Sequence, residues 1–315
     1  MKVVALAGGV GGAKLADGIS RLIPKVDLSV IVNTGDDFTH FGVNISPDLD
    51  TVCYNLAGFE NPETGWGRAS DKMETMNAIL GLGGPDWFSL GNLDLATHLE
   101  RTRRLKDGDP LSNITADFCR VWGIKTKIMP MSDDPVPTLV KTDQGIMPFQ
   151  DYFVKLRTEP SVSGFIFQDI EKAKPAPGVL PAIEEADLVV ICPSNPWVSI
   201  DPILSVPGIR SAVERKIVLA VSPIISGKAV KGPAAKMYQE MGLTSSAVAI
   251  ADHYRELLTG FIIDQQDQNL IQEIFSNFEG GLNILYSNTW MKTRQDRIRF
   301  AGEVIIFGKQ LIKEA

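Results

Sequence analysis

Cysteine is scarce, with three residues, Cys53, Cys119 and Cys192, in a chain of 315. They are odd in number and far apart, which excludes a disulfide framework, and no closely spaced Cys/His set suggests a metal site built on them. Free thiols in a reducing cytoplasm are the expectation. Long hydrophobic runs are missing too: none approaches the roughly 20 residues that span a bilayer. Met1-Lys2 leads directly into an apolar stretch, without the h-region and cleavage site of a signal peptide. Positive charge is in deficit, with 31 Lys and Arg against 38 Asp and Glu and a net charge of −7. That argues against nucleic acid or an anionic membrane as the main partner while leaving room for a local cationic pocket. Internal repeats, low-complexity tracts and long charge runs are absent. What remains, 44% hydrophobic and 22% charged residues, is the composition of an ordinary globular protein large enough for a sizeable core.

The residues that organise this chain come first. Lys2 to Ala7 is a short apolar run of the kind a buried parallel strand shows. It stops at Gly8-Gly9-Val10-Gly11-Gly12-Ala13-Lys14, four glycines in five positions. A helical pattern then runs from Ala13 through Leu15, Ile19 and Leu22 to a stop at Pro24. Strand, glycine turn and helix is the arrangement in which backbone N–H groups face an anion. Gly8, Gly9, Gly11 and Gly12 are therefore expected to cradle phosphate. The fingerprint is neither of the usual ones: Lys14 stands where the dinucleotide pattern needs its third glycine, and Ala13 and Leu15 break the Walker pattern. A ligand-free tight turn is the competing reading.

Leu28 to Val32 reads as a second strand and ends in Asn33-Thr34-Gly35-Asp36-Asp37. Asp48 and Asp50 follow in Ser46-Pro47-Asp48-Leu49-Asp50-Thr51, ahead of a helix over 50–57 that Asp48 would cap. Four carboxylates within fifteen residues, near a phosphate loop, suggest a hard divalent cation such as Mg²⁺, held by Asp36, Asp37, Asp48 and Asp50. Solvated turn residues are the plainer alternative. A helix from Leu95 to Leu105, capped by Asn92 or Asp94, places His98, Arg101 and Arg104 on one side; an anion-facing surface and a salt-bridged one both fit. Extra strands near 138–142 and 164–167 interrupt the αβ alternation. Two later apolar strands, Ala186–Cys192 and Ile217–Val221, each end in a polar loop. Ser194 and Asn195 lie in the first, and Ser226, Gly227, Lys228 and Lys231 in the second, with backbone amides and two cations suited to a phosphate chain. Short strands near 261–264 and 283–286 and an amphipathic helix over 294–312 close the chain.

The fold class is therefore α/β: a Rossmann-like, doubly wound, mostly parallel sheet with an inserted cap. Residues 1–70 and 175–315 form the nucleotide-binding core and 70–175 the cap. Ligands of such sheets collect beyond the carboxyl ends of the strands.

Taken together, Ala7 to Lys14, Asn33 to Asp37, Ser46 to Thr51, Trp87 to His98, Cys192 to Pro196 and Ser222 to Pro233 resemble the 2-phospho-L-lactate transferase family of deazaflavin coenzyme (F-420) biosynthesis, across nearly the whole chain. The resemblance implies transfer of a 2-phospholactyl or enolpyruvyl phosphate group from lactyl-2-diphospho-5'-guanosine, or its enolpyruvyl analogue, to the ribityl hydroxyl of 7,8-didemethyl-8-hydroxy-5-deazariboflavin (Fo), with release of GMP. It also implies Mg²⁺ dependence and a homodimer. On that reading Asp50 and Asp36 are catalytic, Asp50 being nearest the acceptor hydroxyl as metal ligand or base. Ser194 and Asn195 contact the guanosine diphosphate, and Trp87, Phe88 and His98 flank the deazaflavin ring, Phe88 doubling as a core aromatic. Two competitors stay open: a regulator of the same fold that binds nucleotide-sugar or dinucleotide without catalysis, and an NAD-dependent oxidoreductase.

Overall fold

The computed structural model describes residues 1–22, 27–229, 232–279 and 281–314. Seven strands form the central sheet: β1 (Lys2–Ala7), β2 (Asp27–Val32), β3 (Lys127–Pro130), β4 (Leu188–Ile191), β5 (Val218–Val221), β6 (Gly260–Asp264) and β7 (Asn283–Ser287). Their order is β7-β6-β5-β4-β1-β2-β3, and every neighbouring pair is parallel. This is the doubly wound arrangement, with strand order reversing between β1 and β4.

Residues of these strands alternate between two cores because successive side chains point to opposite faces. Val4, Leu6, Val189 and Ile191 join one cluster, while Val3, Ala5, Ala7, Leu188 and Val190 join the other. Both faces being covered, the strands read as unbroken apolar runs. Helices α1 (Gly9–Ser20), α2 (Pro47–Ala57) and α4 (Arg294–Glu314) cover the second face through Leu15, Ile19, Val52, Phe300 and Val304. A further helix, α3 (Asn92–Lys106), packs on the short strand Val43–Ile45 that follows β2, Thr102 Oγ1 accepting from the Asn44 amide at 2.6 Å.

Several expectations are corrected. The first helix begins at Gly9, four residues before Ala13, so Gly9, Gly11 and Gly12 belong to its opening turn and Gly8 is the extended residue before it. The expected stop at Pro24 and the cation Lys231 lie outside the described residues. Helix α2 starts at Pro47, so Asp48 and Asp50 sit in its first turn and Ser46, not Asp48, holds the cap position. Neither Asn92 nor Asp94 caps α3: the carboxylate of Asp71 accepts from the Leu93 and Asp94 amides at 2.8 and 3.0 Å. The stretch expected as a cap contributes β3 to the central sheet through pairing with β2. Outside that strand, it builds a three-stranded antiparallel sheet (Thr138–Thr142, Gly145–Pro148, Val162–Phe167) and the helices Glu74–Gly81 and α3.

Candidate active site

The carboxyl ends of β1, β2 and β4 open on a cavity of about 970 Å³, ample for a nucleotide and a second substrate. Gly8, Gly9 and Gly11 form part of its floor, at the switch point itself. Gly9 takes φ +61°, a conformation that costs a side-chain-bearing residue but not glycine. Gly11 serves close approach: a Cβ there would lie 2.2 Å from the Pro193 carbonyl oxygen. Gly12 does not line the cavity, and its place is explained by packing against Ser194 and Ala7. Ser194 staples the bend to the β4 loop, its hydroxyl accepting from the Gly8 amide at 3.1 Å and donating to the Gly8 carbonyl at 2.8 Å. Asn195 lies on the cavity wall and accepts from the Trp197 amide at 3.1 Å.

The acidic quartet divides. Asn33, at the end of β2 and fully buried, donates to Asp48 at 2.9 Å and to Asp36 at 3.3 Å. Asp48 also accepts from the Gly9 amide at 2.6 Å, and Gln150 approaches Asp36 at 3.4 Å. All these partners are neutral. Burial, reinforced by the neighbouring Asp48, pushes the Asp36 carboxyl well above its ordinary value. Burial likewise raises Asp48 to about 6, against the pull of its hydrogen bonds from Asn33, Gly9 and Ser199. Two carboxylates this close in a dry site disfavour double ionisation unless a cation joins them.

Asp37 and Asp50 are committed elsewhere. Asp37 accepts from the Ser46 hydroxyl at 2.7 Å and does not line the cavity; burial raises its pKa strongly. Asp50 does line it, but both its oxygens accept from the guanidinium of Arg101 on α3, one at 3.0 Å. Two residues along a helix turn about 200°, so Asp48 meets the Gly9 end of α1 while Asp50 meets α3. Among the described residues, no group of three or more His, Cys, Asp or Glu side chains is arranged to hold a metal ion. Of the four expected carboxylates, Asp36 and Asp48 come together around Asn33, while Asp37 and Asp50 are held elsewhere.

His98 stands beside Asp50, with Nδ1 3.6 Å from the carboxylate and 3.2 Å from Arg101 Nη1. Burial lowers its pKa to about 4, overriding the opposite pull of Asp50. The imidazole is therefore neutral near pH 7. Since Arg101 only donates, Nδ1 accepts and the ring proton is assigned to Nε2. His98 is thus a hydrogen-bonding wall residue beside Asp50. Trp87 packs on His40 with centroids 4.7 Å apart. Phe88, 4.9 Å from Phe38, joins a small satellite core while also facing the cavity. Asp94 lines the same wall, raised to about 6 by burial.

The second polar loop is not brought in as expected. Ser226 and Gly227 turn a short hairpin between Ile224–Ile225 and Lys228–Ala229, which carries them and Lys228 away from the cavity. Ser226 N is instead held by Asp267 at 3.0 Å. The loop's base does the lining, through Ser222, Pro223, Gly232 and Pro233. Among the described residues, the cavity's cations are Lys14, whose Nζ donates to the Met291 carbonyl at 2.9 Å, and Arg157. Lys14 was in plain view within the glycine motif; Arg157 carried no sequence signal.

The sequence model of the family described as 2-phospho-L-lactate transferase CofD matches residues 3–279. The chain belongs to the CofD family. It is 44% identical over 282 residues to the phosphoenolpyruvate transferase of Streptomyces griseus, covering 87% of this chain and 89% of that one. It is 40% identical over 266 residues to the 2-phospho-L-lactate transferase of Methanosarcina mazei, covering 84% and 88%. Among solved structures, a UPF0052-family protein of Bacillus halodurans covers 96% of this chain and 98% of its own at 14% identity, with a TM-score of 0.61; that likeness speaks for the fold alone. The CofD match takes in the glycine bend, the acidic residues and the β4 loop, and stops before β7 and α4. Trp290 and Met291, which also line the cavity, lie beyond it. Among the described residues no helix is long and apolar enough to cross a membrane.

Proposed function

We propose that this CofD-family chain transfers a phosphorylated three-carbon acid, 2-phospholactyl or enolpyruvyl phosphate, from its guanosine diphosphate-linked form to the ribityl hydroxyl of the deazaflavin Fo. The observation that carries this reading is a single cavity. It joins an anion-type floor (Gly8, Gly9, Gly11, Lys14) to the Asp36 and Asp48 carboxylates and an aromatic wall of Trp87 and Phe88. The acceptor oxygen attacks the phosphorus bearing the three-carbon acid. The P–O bond to the bridging oxygen breaks, GMP leaves with that electron pair, and the hydroxyl proton passes to a carboxylate.

Each side chain has a task in this scheme. Helix α1 aims its N-terminal dipole at the diphosphate, with Lys14 and Arg157 as counter-charges. Trp87 and Phe88 flank the ring of the acceptor. Asp50, held and oriented by Arg101, takes the proton, and His98 Nε2–H donates to an acceptor oxygen. Asp36 and Asp48 would hold a Mg²⁺ ion. When bound there, the ion would neutralise charge developing on the bridging oxygen. A homodimer and GDP binding belong to the same proposal.

A regulator that only binds a nucleotide leaves the Asp36–Asp48 pair without a task. An oxidoreductase is weakened by the broken glycine fingerprint, with Lys14 where the dinucleotide pattern needs its third glycine. The deciding experiment supplies Mg²⁺, Fo and the guanylylated lactyl or enolpyruvyl donor in parallel and follows GMP and phosphodiester. Turnover with either donor supports the reading and assigns the acid; nucleotide binding without GMP release rejects it.

A further inference from the structure

The last strand and helix bring one large aromatic residue to the cavity, and its setting is that of a built platform. Trp290 lines the cavity mouth with its side chain half in solvent, at 44% exposure. Its neighbours are pinned on both sides. The Thr289 amide and hydroxyl both donate to Asp264 Oδ2, at 2.9 and 3.0 Å, and Asp264 is itself buried at the end of β6. On the other side Met291 is buried in the core, and its carbonyl accepts from Lys14 Nζ at 2.9 Å. The Trp290 amide donates to Asn288 Oδ1 at 3.1 Å. The backbone that presents the ring is therefore already ordered, and a ligand stacking on it need not order it. Lys292 Nζ lies over the ring, 4.6 Å from its centroid, so a stacked base takes the opposite face.

The position in the sheet says which substrate this ring meets. Trp87, Phe88 and His98 stand over the β2 side of the switch point. Trp290 follows β7, and Thr289 before it is tied to Asp264 at the end of β6, the strand that pairs with β5; Ser222 and Pro223, which follow β5, line the same cavity. The glycine bend at the end of β1 lies between these two sides. A diphosphate on that bend has the acceptor on one side and its own nucleoside on the other. We propose that Trp290 is the stacking platform for the nucleobase of the donor, supplied by a segment that the CofD match does not include. This rests on the donor being a nucleoside diphosphate conjugate, and the ring's π-face gives affinity while leaving the choice of base to polar groups.

The test is binding of GDP to the full-length protein, by calorimetry, for wild type, Trp290→Ala and Trp290→Phe, with Fo binding measured alongside. Stacking of a base on an aromatic ring is worth on the order of a tenfold or greater change in affinity. Trp290→Ala is thus expected to weaken GDP at least about tenfold and to leave Fo unchanged. Trp290→Phe should restore most of the loss. GDP affinity unchanged in Trp290→Ala, or a loss confined to Fo or to sedimentation behaviour, overturns the assignment. Turnover is scored separately: GDP binding that depends on Trp290, in a protein that releases no GMP, would sink the transferase reading and leave this one standing.

Discussion

Helices α1 and α2 run side by side, with the buried acid Asp17 near the end of α1 and the buried acid Asp48 at the start of α2, balanced in opposite ways. At the far ends, Asp17 accepts from Arg21 at 2.7 Å and from Arg297 at 3.0 Å. The same Arg297 reaches Asn55 and Glu60, both at 3.1 Å. Carboxylate meets guanidinium, and the cluster clamps α4 onto the sheet's helical layer. At the near ends, Asp48 and Asp36 face one another across Asn33 with only neutral donors around them. The first arrangement is complete; the second has no cationic partner among the described residues, and it borders the cavity. Perturbed carboxylates in a cleft point to function, whereas a matched ion pair points to architecture.

The largest effect should come from breaking the matched end. Arg297→Met leaves Asp17 and Glu60 short of a partner in the interior and is expected to cost about 3–5 kcal/mol of stability. Urea denaturation reads it, and turnover per folded molecule should stay close to wild type. The unmatched end should behave in reverse. Asp48→Asn keeps an acceptor and relieves repulsion with Asp36, so stability should hold within about 1 kcal/mol. Turnover should fall on the order of 10²-fold or more, because charge stabilisation at the diphosphate is lost. A variant that is both stable and active would mean that the unmatched pair has no catalytic meaning.

The third way to sharpen the contrast is pH. His98 has its folded pKa lowered to about 4 from an ordinary 6.5. A depressed pKa gives stability that is present above 6.5 and lost as pH falls toward 4, since the unfolded chain then binds the proton first. Thermal melts of wild type and His98→Gln should therefore keep a constant gap above pH 6.5 and converge, or cross, between there and pH 4. A gap independent of pH would contradict a buried neutral imidazole. Asp50→Asn is a poorer probe than the sequence suggests, because it strands the buried Arg101 and mixes a folding defect with a chemical one.

Which features were legible follows from how local their causes are. The parallel strands announce themselves as apolar runs because both faces of the sheet are covered. β3 does not: its sequence Lys-Ile-Met-Pro is only four residues long, sits at the sheet edge, and lies inside a stretch whose neighbours form a separate antiparallel sheet. The start of α1 is masked because glycine reads as a breaker, while the contact that favours it, Gly11 against Pro193, joins residues far apart in sequence. The site follows the same rule. Asp36, Asp48, Ser194 and the glycines were found from short motifs at strand ends. The Asp50–Arg101 pair spans 51 positions, so the spacing of His98, Arg101 and Arg104 shows a shared face without showing what it meets. Arg104 turns out to bind Asp109 and Asp117, the salt-bridged outcome, while Arg101 is buried. Lys228 was misplaced because proximity to a strand end in sequence took no account of the intervening hairpin.

The unmatched pair can be probed most directly by its response to a cation. At pH 8, above the value of about 6 for Asp48, millimolar Mg²⁺ with GDP should raise the melting temperature of wild type beyond the effect of GDP alone. At pH 5 protons compete for the same oxygens and the increment should shrink. Asp48→Asn should lose the increment while Arg297→Met retains it. An equal Mg²⁺ increment in wild type and Asp48→Asn, or none in wild type at pH 8, would contradict the assignment of Asp36 and Asp48 as the cation's seat.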